Sequence, residues 1–412
     1  MTSPEPRRRH HVLIVGAGPA GLSAALALRS AGVPATVLEK RGVSDARPGS
    51  RAAYIHGESL RHLERLRPGL GREIAAHGVM WLTKRTLWQG REVYAKTYQA
   101  KSYGDGLPPF TSLPQVRTED LMVAACQRAG VEFEWNREVV DVHVDSDGVL
   151  LTDTKGDEWE ADYVIAADGA RSPLRAAIGR PLEGPRSVHP FVVVDLTDDP
   201  SAPVPCERVF HYNHPGVGGR NVLIVPFAGG WRVDLNLRRH DDPDDFTSPS
   251  GLARWIPQVM PAPYGDRVSW VSTYRFAQQT AAAFTDEHRR IMLTGEAAHM
   301  FAPFGARGMN SSIPDAITAV EAAVTALAAG PRRAAATAAV EAFATTRLDA
   351  ARYNRACATQ ALDHMLALRP GIQLRRVAAA VVAEAGLRAG RWLDSAPYGP
   401  GVSAKKRPGR SY

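Results

Sequence analysis

The patterned part of the chain opens on an unbroken apolar run, Val12-Leu13-Ile14-Val15, followed at once by Gly16. Apolar residues at helical spacing from 19 to 29 and a second run, Ala35-Thr36-Val37-Leu38, complete a predicted strand, helix and strand. Runs that do not alternate mark strands buried on both faces, the texture of a parallel sheet. Leu60, Leu63 and Leu66 share a face and predict a helix over 59–77; a second helix is predicted over 118–129, capped by Thr118. Strands are predicted over 131–144 and 149–152, and Tyr163-Val164-Ile165-Ala166-Ala167 returns to the parallel-sheet style. Between 180 and 285 the texture changes to short alternating runs, at 191–194, 208–212, 221–225, 231–237 and 268–276. This predicts an inserted, mostly antiparallel sheet, with surface loops at 241–245 and 247–250. One more buried strand at 291–294 precedes helices over 313–329, 334–368 and 373–392, and the last dozen residues, rich in Gly, Pro, Lys and Ser, are predicted to be disordered.

At 412 residues, with 44% apolar and 23% charged positions, the chain can form about two interleaved domains. A formal charge of +7 raises nucleic acid as a partner, yet the basic residues are scattered apart from Arg7-Arg8-Arg9 and Lys405-Lys406-Arg407, with no aromatic platform beside them. No nucleic-acid partner is expected. Cys126, Cys206 and Cys357 lie far apart and form no paired spacing, which fits a reduced cytoplasmic protein without a metal site. The apolar stretch after His11 runs into a glycine turn rather than a signal peptide, and no long uncharged apolar run predicts a membrane span.

Gly16-Ala17-Gly18-Pro19-Ala20-Gly21 sits after a strand and opens a helix, as a dinucleotide fingerprint requires. Gly16 permits the tight turn, Gly18 lets a pyrophosphate approach the backbone, and Gly21 lets helix and strand pack closely. The helix N-terminus offers free N–H groups and the positive end of its dipole. Glu39, ending the second strand, is placed to accept hydrogen bonds from ribose hydroxyls, with Lys40 beside it. Arg51 has a guanidinium suited to a pyrophosphate, although a surface charge is the plainer reading of an arginine there.

With Asp168-Gly169-Ala170-Arg171-Ser172 and Gly295-Glu296-Ala297-Ala298-His299 added, residues 10 to 350 resemble the class A FAD-dependent aromatic hydroxylases, the p-hydroxybenzoate hydroxylase-like flavoprotein monooxygenases. The resemblance implies an α/β fold: a Rossmann-like, glutathione reductase-like FAD-binding domain interleaved with a mostly antiparallel substrate domain, plus C-terminal helices. The implied bounds are 10–180, with substrate-domain elements at 80–115, then 181–285, 286–335, 336–398 and a tail at 399–412. It implies that Gly16, Gly18, Pro19, Ala20, Gly21, Glu39, Lys40 and Arg51 hold the ADP part of FAD, joined by Gln115, Val139, Asp168 and Gly169. Gly295 and Glu296 approach the ribityl chain, and Gly308, Met309 and Asn310 face the flavin. Glu296 stands where the family has Asp, Ser312 where it has Gly, and Thr318-Ala319 where Asn-Leu is usual. From the residues themselves, Ser312-Ile313-Pro314-Asp315 reads as the cap of the following helix, with Pro314 in its first turn.

The implied activity is hydroxylation of a phenolic or polycyclic aromatic by O2 through a flavin C4a-hydroperoxide, with NADPH or NADH as transient reductant, in a tailoring or catabolic role. The flavin carries the chemistry and no residue is assigned as a catalytic nucleophile or base. Pro303 and Phe304 are expected beside the ring. The inserted sheet supplies substrate candidates His211, Tyr212, Arg232, Asn236, Tyr274 and Gln278, of which alternation turns about half outward. His299 reads as a packing or hydrogen-bonding residue. Two alternatives stay open: an FAD protein that is a cyclase, isomerase or oxidase, and a binding protein on the same scaffold. A monomer and a homodimer are both compatible, and neither a membrane nor a macromolecular ligand is expected.

Overall fold

The structure, a computed structural model, describes residues 9–45, 54–99, 104–330, 332–384 and 389–399. Arg51 and the tail from 400 onward lie outside the described residues. Two seven-stranded sheets organise the rest. The first runs in the order Glu132–Trp135, Thr36–Glu39, Arg9–Val15, Glu158–Ala166, Val149–Asp153 and Val139–Val144. Leu13, Ile14 and Val15 pair in parallel with Val164, Ile165 and Ala166 on one side and with Thr36, Val37 and Leu38 on the other. All nine side chains are buried, as apolar runs without alternation require. Strand Glu158–Ala166 has two partners along its other edge: its first half runs antiparallel to Val149–Asp153 and its last residues parallel to Ile291–Leu293. Helices Pro19–Ser30 and Gln115–Arg128 pack together, and Arg307–Ala329 lies between Pro19–Ser30 and Arg333–Leu366. Among the described residues Arg307–Ala329 alone is long and apolar enough to cross a membrane, and most of it is buried in the protein.

The second sheet has the order Val268–Tyr274, Phe191–Thr197, Gly230–Asn236, Arg220–Phe227, Glu207–His214, Thr83–Trp88, Arg91–Thr97. Every pairing is antiparallel except that between Glu207–His214 and Thr83–Trp88. Val192, Val194, Val233 and Leu235 on one face pack beneath helix Pro249–Val259. On the other face Phe210, Tyr212 and Trp88 meet Met365, Ala380 and Leu393 of the C-terminal helices. Asp394 closes that contact from the far end of the chain. It accepts from Arg208 at 2.9 Å and Thr86 at 3.2 Å and pairs with Lys84.

Several elements differ from their sequence reading. The helix expected over 59–77 breaks into Gly57–Leu66 and Leu70–His77, because Pro68 cannot continue the first helix and Gly69 turns left-handed at φ 95°. The strand over 131–144 is interrupted at Asn136, φ 57°. Thr118 is no cap: helix Gln115–Arg128 starts three residues earlier, after Pro114. The loops at 241–250 contain helix Asp244–Thr247 and the start of Pro249–Val259, capped by Ser248. The last predicted helix divides into Pro370–Glu384 and Gly390–Ser395. Helix Arg307–Ala329 begins six residues before the predicted 313, so Ser312 and Pro314 lie inside it and cap nothing. The Ser312 hydroxyl donates back to Gly308 O at 3.0 Å, and the true cap position is Ala306 in the left-handed region, φ 52°.

Candidate active site

Three chain turns meet at the carboxyl edge of the parallel strands, where doubly wound sheets place their ligands. Gly16 follows Arg9–Val15, Asp168 follows Glu158–Ala166 and Gly295 closely follows Ile291–Leu293. A Cβ on Gly16, at φ 103°, would sit 2.3 Å from Ala167 O, and one on Gly21 would sit 1.8 Å from Gly16 O. These two glycines are demanded by the protein's own packing. A Cβ on Gly18 would meet nothing within 4 Å, so its backbone faces open space. Helix Pro19–Ser30 starts there with no side-chain cap. Glu39 is buried and accepts from Ala17 N at 2.6 Å and from Arg41 N and Nε at 3.1 and 3.0 Å. A carboxylate has about four acceptor sites, so capacity remains for a further donor. Lys40 is exposed beyond the strand. Val139 is buried at the start of its strand. Gln115, in the first turn of its helix, donates to Glu119 at 2.7 Å.

Asp168 Oδ2 accepts from Ser172 Oγ at 2.7 Å and Leu174 N at 3.2 Å, while its buried Oδ1 has no partner among the described residues. Burial pushes this carboxyl above the usual aspartate range, against the pull of Ser172 and Leu174. Gly169 follows at φ 83° with open space at its Cβ position. Gly295, φ 57°, packs against Ala20 and Ser312, and the next residue, Glu296, is exposed. Beneath them lies a buried triad: Asp315 accepts from His299 at 2.6 Å and Arg347 at 2.7 Å, and Gly295 N donates to the same carboxylate at 3.3 Å. Burial alone would raise Asp315; Arg347 and His299 overcome it and hold the carboxyl below the usual range. His299 is thus a fixed partner of Asp315. At the start of helix Arg307–Ala329 the first turn has no side-chain cap, and Gly308 faces open space. Met309 packs on the main core. The Asn310 side chain is turned away from the groove: it accepts from His56 N and Ser59 Oγ and donates to Tyr54 O and Ala306 O. Those four bonds leave it no capacity for a ligand.

A small cavity lies between the second sheet and Pro303-Phe304. Phe191 and Phe276 stand 4.6 Å apart and Phe304 closes on both at 5.7 and 5.8 Å, an edge-to-face arrangement. Asp234 is the one ionisable group among the described residues that line it. Burial pushes Asp234 up to about 7, with Arg232 opposing the shift and Asp195 adding to it. Its Oδ1 has no hydrogen-bond partner among the described residues. Arg232 and Asp195, on the same sheet face, hold each other at 2.9 and 3.1 Å.

Of the six substrate candidates, only Asn236 lines this cavity. His211 is opposite Val222, on the sheet face beneath helix Pro249–Val259, with its ring 4.6 Å from His214. Tyr212 is on the cavity's face, but its hydroxyl is bound by His364 Nε2 and Leu393 O, both at 2.7 Å. Arg232 is engaged by Asp195. Tyr274 stacks behind Phe276 at 6.2 Å. Gln278 is buried outside the cavity lining, with neither amide atom hydrogen-bonded. Asp234, Asn221 and Met365 were missed. For Asp234 a signal existed: Arg232, Asp234 and Asn236 alternate along one strand and must share a face.

The open backbone at Gly18 and Gly308, two uncapped helix starts and the Asp168 oxygen without a partner among the described residues fit a long, phosphate-bearing dinucleotide, and the fold is that of a flavin-binding protein. The chain belongs to the FAD binding domain family, whose profile matches residues 9–355, and FAD is the cofactor these residues fit. It is 28% identical over 316 residues to 6-methylpretetramide 4-monooxygenase of Streptomyces rimosus, covering 74% of this chain and 54% of that protein. It is 27% identical over 339 residues to a 3-(3-hydroxy-phenyl)propionate/3-hydroxycinnamic acid hydroxylase of Mycobacterium avium (strain 104), covering 77% and 55%. The chain thus spans about half the length of these curated relatives. Among solved structures, p-nitrophenol 4-monooxygenase from Pseudomonas putida DLL-E4 superposes with a TM-score of 0.75 at 24% identity over 96% of this chain and 100% of that one. A flavin-dependent monooxygenase in complex with FAD and substrate superposes at 0.77, with 24% identity over 98% and 75%. These likenesses establish the fold.

Proposed function

We propose that the protein is an FAD-dependent monooxygenase that uses NADPH or NADH and O2 to hydroxylate a phenolic or polycyclic aromatic. The observation that carries this reading is the cavity walled by Phe191, Phe276 and Phe304, with Asp234 as the one ionisable group among its described lining residues. The hydroxylase and monooxygenase names of the relatives support it. Bound FAD supplies two-electron redox chemistry and the activation of O2. Gly18 and Glu39 would hold the ADP part, Asp168 Oδ1 would accept a hydrogen bond from the cofactor, and the backbone N–H groups at Gly308 and Met309 would offer the flavin the positive end of the helix dipole. The three phenylalanines orient the aromatic ring and exclude water. Asp234 Oδ1 takes the phenolic proton, leaving the O–H electron pair on the substrate oxygen, which enriches the ring for electrophilic attack. Its shift to about 7 suits a base working near neutrality. The free cysteines Cys126, Cys206 and Cys357 fit a cytoplasmic setting, as monomer or homodimer.

The test is the visible spectrum of purified protein, recorded anaerobically before and after NADPH with a panel of phenols and polycyclic aromatics. Flavin that bleaches faster with one aromatic present, followed by oxygenated product on admitting air, is the expected result. Flavin that no nicotinamide reduces with any aromatic present refutes the monooxygenase and favours a cyclase, isomerase or oxidase.

A further inference from the structure

Helix Arg307–Ala329 starts on a turn held against its own preference. Gly305 at φ 80° and Ala306 at φ 52° are both left-handed, a conformation that a residue with a Cβ adopts only when its surroundings impose it. One side of the turn is held by its own helix and by strand Tyr54–His56: Ala306 N donates to Pro303 O and Asn310 Nδ2 to Ala306 O, both at 2.7 Å, and His56 Nε2 lies 3.1 Å from Gly305 O. The other side is held by Arg307. Its side chain folds inward and is 8% exposed. Nη1 donates to Asn354 Oδ1 at 2.9 Å and Nη2 to Tyr398 O at 3.1 Å. Asn354 in turn donates to Ser311 Oγ at 3.0 Å, which ties helix Arg333–Leu366 to the same helix start.

Tyr398 belongs to a short strap, residues 390–399, fixed at three points. At its start a Cβ on Gly390 would lie 2.0 Å from Val93 O. At its middle Asp394 accepts from Arg208 and Thr86 and pairs with Lys84, all of the second sheet. At its end Gly399, φ 71°, sits so close to helix Arg333–Leu366 that a Cβ there would lie 2.4 Å from Cys357 O. The Arg208 guanidinium also lies over the Tyr398 ring at 4.9 Å. The strap therefore runs from the sheet that walls the aromatic cavity to the turn that opens helix Arg307–Ala329. An arginine suits this junction, because its rigid fork serves two acceptors in fixed directions, here one on each of two separate elements.

We propose that Arg307 is a positioning residue for the flavin and that the C-terminal strap holds it in place: the Tyr398 carbonyl and Asn354 fix the guanidinium, which fixes the left-handed turn and aims the N–H groups of Gly308 and Met309 at the cofactor. The assignment rests on the reading that this helix start faces the flavin, and it needs nothing of the oxygenation step.

Gly399→Ala is the decisive variant, because its new Cβ displaces the end of the strap from Cys357 O without altering Arg307 or the flavin groove. Apoprotein is titrated with FAD by flavin fluorescence, and amide exchange is followed over residues 305–309. Gly399→Ala and Arg307→Met are each expected to weaken FAD binding at least tenfold and to speed exchange in that segment of the apoprotein. The double variant is expected to bind FAD no more weakly than the worse single one, because both break one tie. Arg307→Lys keeps the charge but cannot serve both acceptors, and shows the same change at smaller size, so the assignment is tested even where Arg307→Met does not fold. Gly156→Ala is the control for backbone strain: Gly156 is left-handed at φ 83°, has open space around it, and lies before strand Glu158–Ala166, at the opposite end from Asp168, so both readings should stay at wild type. Wild-type affinity and exchange in Gly399→Ala, losses that multiply in the double variant, or equal losses in Gly156→Ala overturn the proposal. Faster exchange with FAD affinity unchanged marks the other failure: the tie exists but the turn does not face the flavin, which sinks the reading on which the proposal rests.

Discussion

Asp234→Asn should make the folded protein more stable at alkaline pH and less active. The Asp234 carboxyl keeps its proton to about 7 in the folded chain, against 3.8 for an unperturbed aspartate, because burial outweighs the attraction of Arg232. Between these values the unfolded chain has released its proton and the folded chain has not. Stability from this group is therefore complete below the unfolded value, falls as pH rises, and levels off above about 7. Roughly three pH units at about 1.36 kcal/mol each correspond to about 4 kcal/mol in total, of which about 2–3 kcal/mol falls between about pH 5 and pH 8. Asparagine has no such titration. Urea denaturation of wild type and variant at those two pH values should show the variant's relative stability rising by that amount. A gap that does not change with pH would mean that Asp234 titrates as an ordinary carboxylate and that the cavity does not hold it dry. In turnover the same variant should lose roughly 10²-fold in kcat on a phenol and lose the limb of the pH profile that rises through about 7.

Gly18→Ala should fold normally, because its Cβ meets nothing in the protein, yet retain FAD poorly; Gly16→Ala, 2.3 Å from Ala167 O, should fail to fold, and flavin content beside a urea melt separates the two. Asp315→Asn leaves Arg347 buried beside a neutral partner and should cost about 3–5 kcal/mol in urea unfolding. Glu296→Ala removes an exposed carboxylate, so stability should stay within about 0.5 kcal/mol while FAD dissociates at least tenfold more readily, read by flavin fluorescence.

The parallel strands were legible because both their faces are buried, so Val12 to Val15 and Tyr163 to Ala166 admit few other readings. The glycine turn was legible because Gly16 and Gly21 answer to backbone sterics, a local constraint. The start of helix Arg307–Ala329 was not: Pro314 imitates a first-turn proline, and only the left-handed Ala306 and the Ser312 bond back to Gly308 reveal that the helix is already under way. In the second sheet both faces are covered, by helix Pro249–Val259 and by the C-terminal helices, so alternation could not say which face holds the cavity. His211 is among the candidates that alternation turns to the face beneath helix Pro249–Val259. Arg307 gave no signal, since an isolated arginine in a turn is ordinarily solvated and its burial depends on Asn354 and Tyr398, far away in sequence.

Asp394 ties the order of synthesis to the order of folding. The inner strands that carry Lys84, Thr86 and Arg208 leave the ribosome long before the carboxylate they converge on. Until it arrives, Arg208 has no aspartate to pair with, and the edge of the second sheet pays the closure entropy of a contact about 300 residues apart in sequence without its reward. A nascent chain should therefore assemble the dinucleotide groove first and wait in a partly docked state, open to chaperones and proteases, until its closing helix emerges.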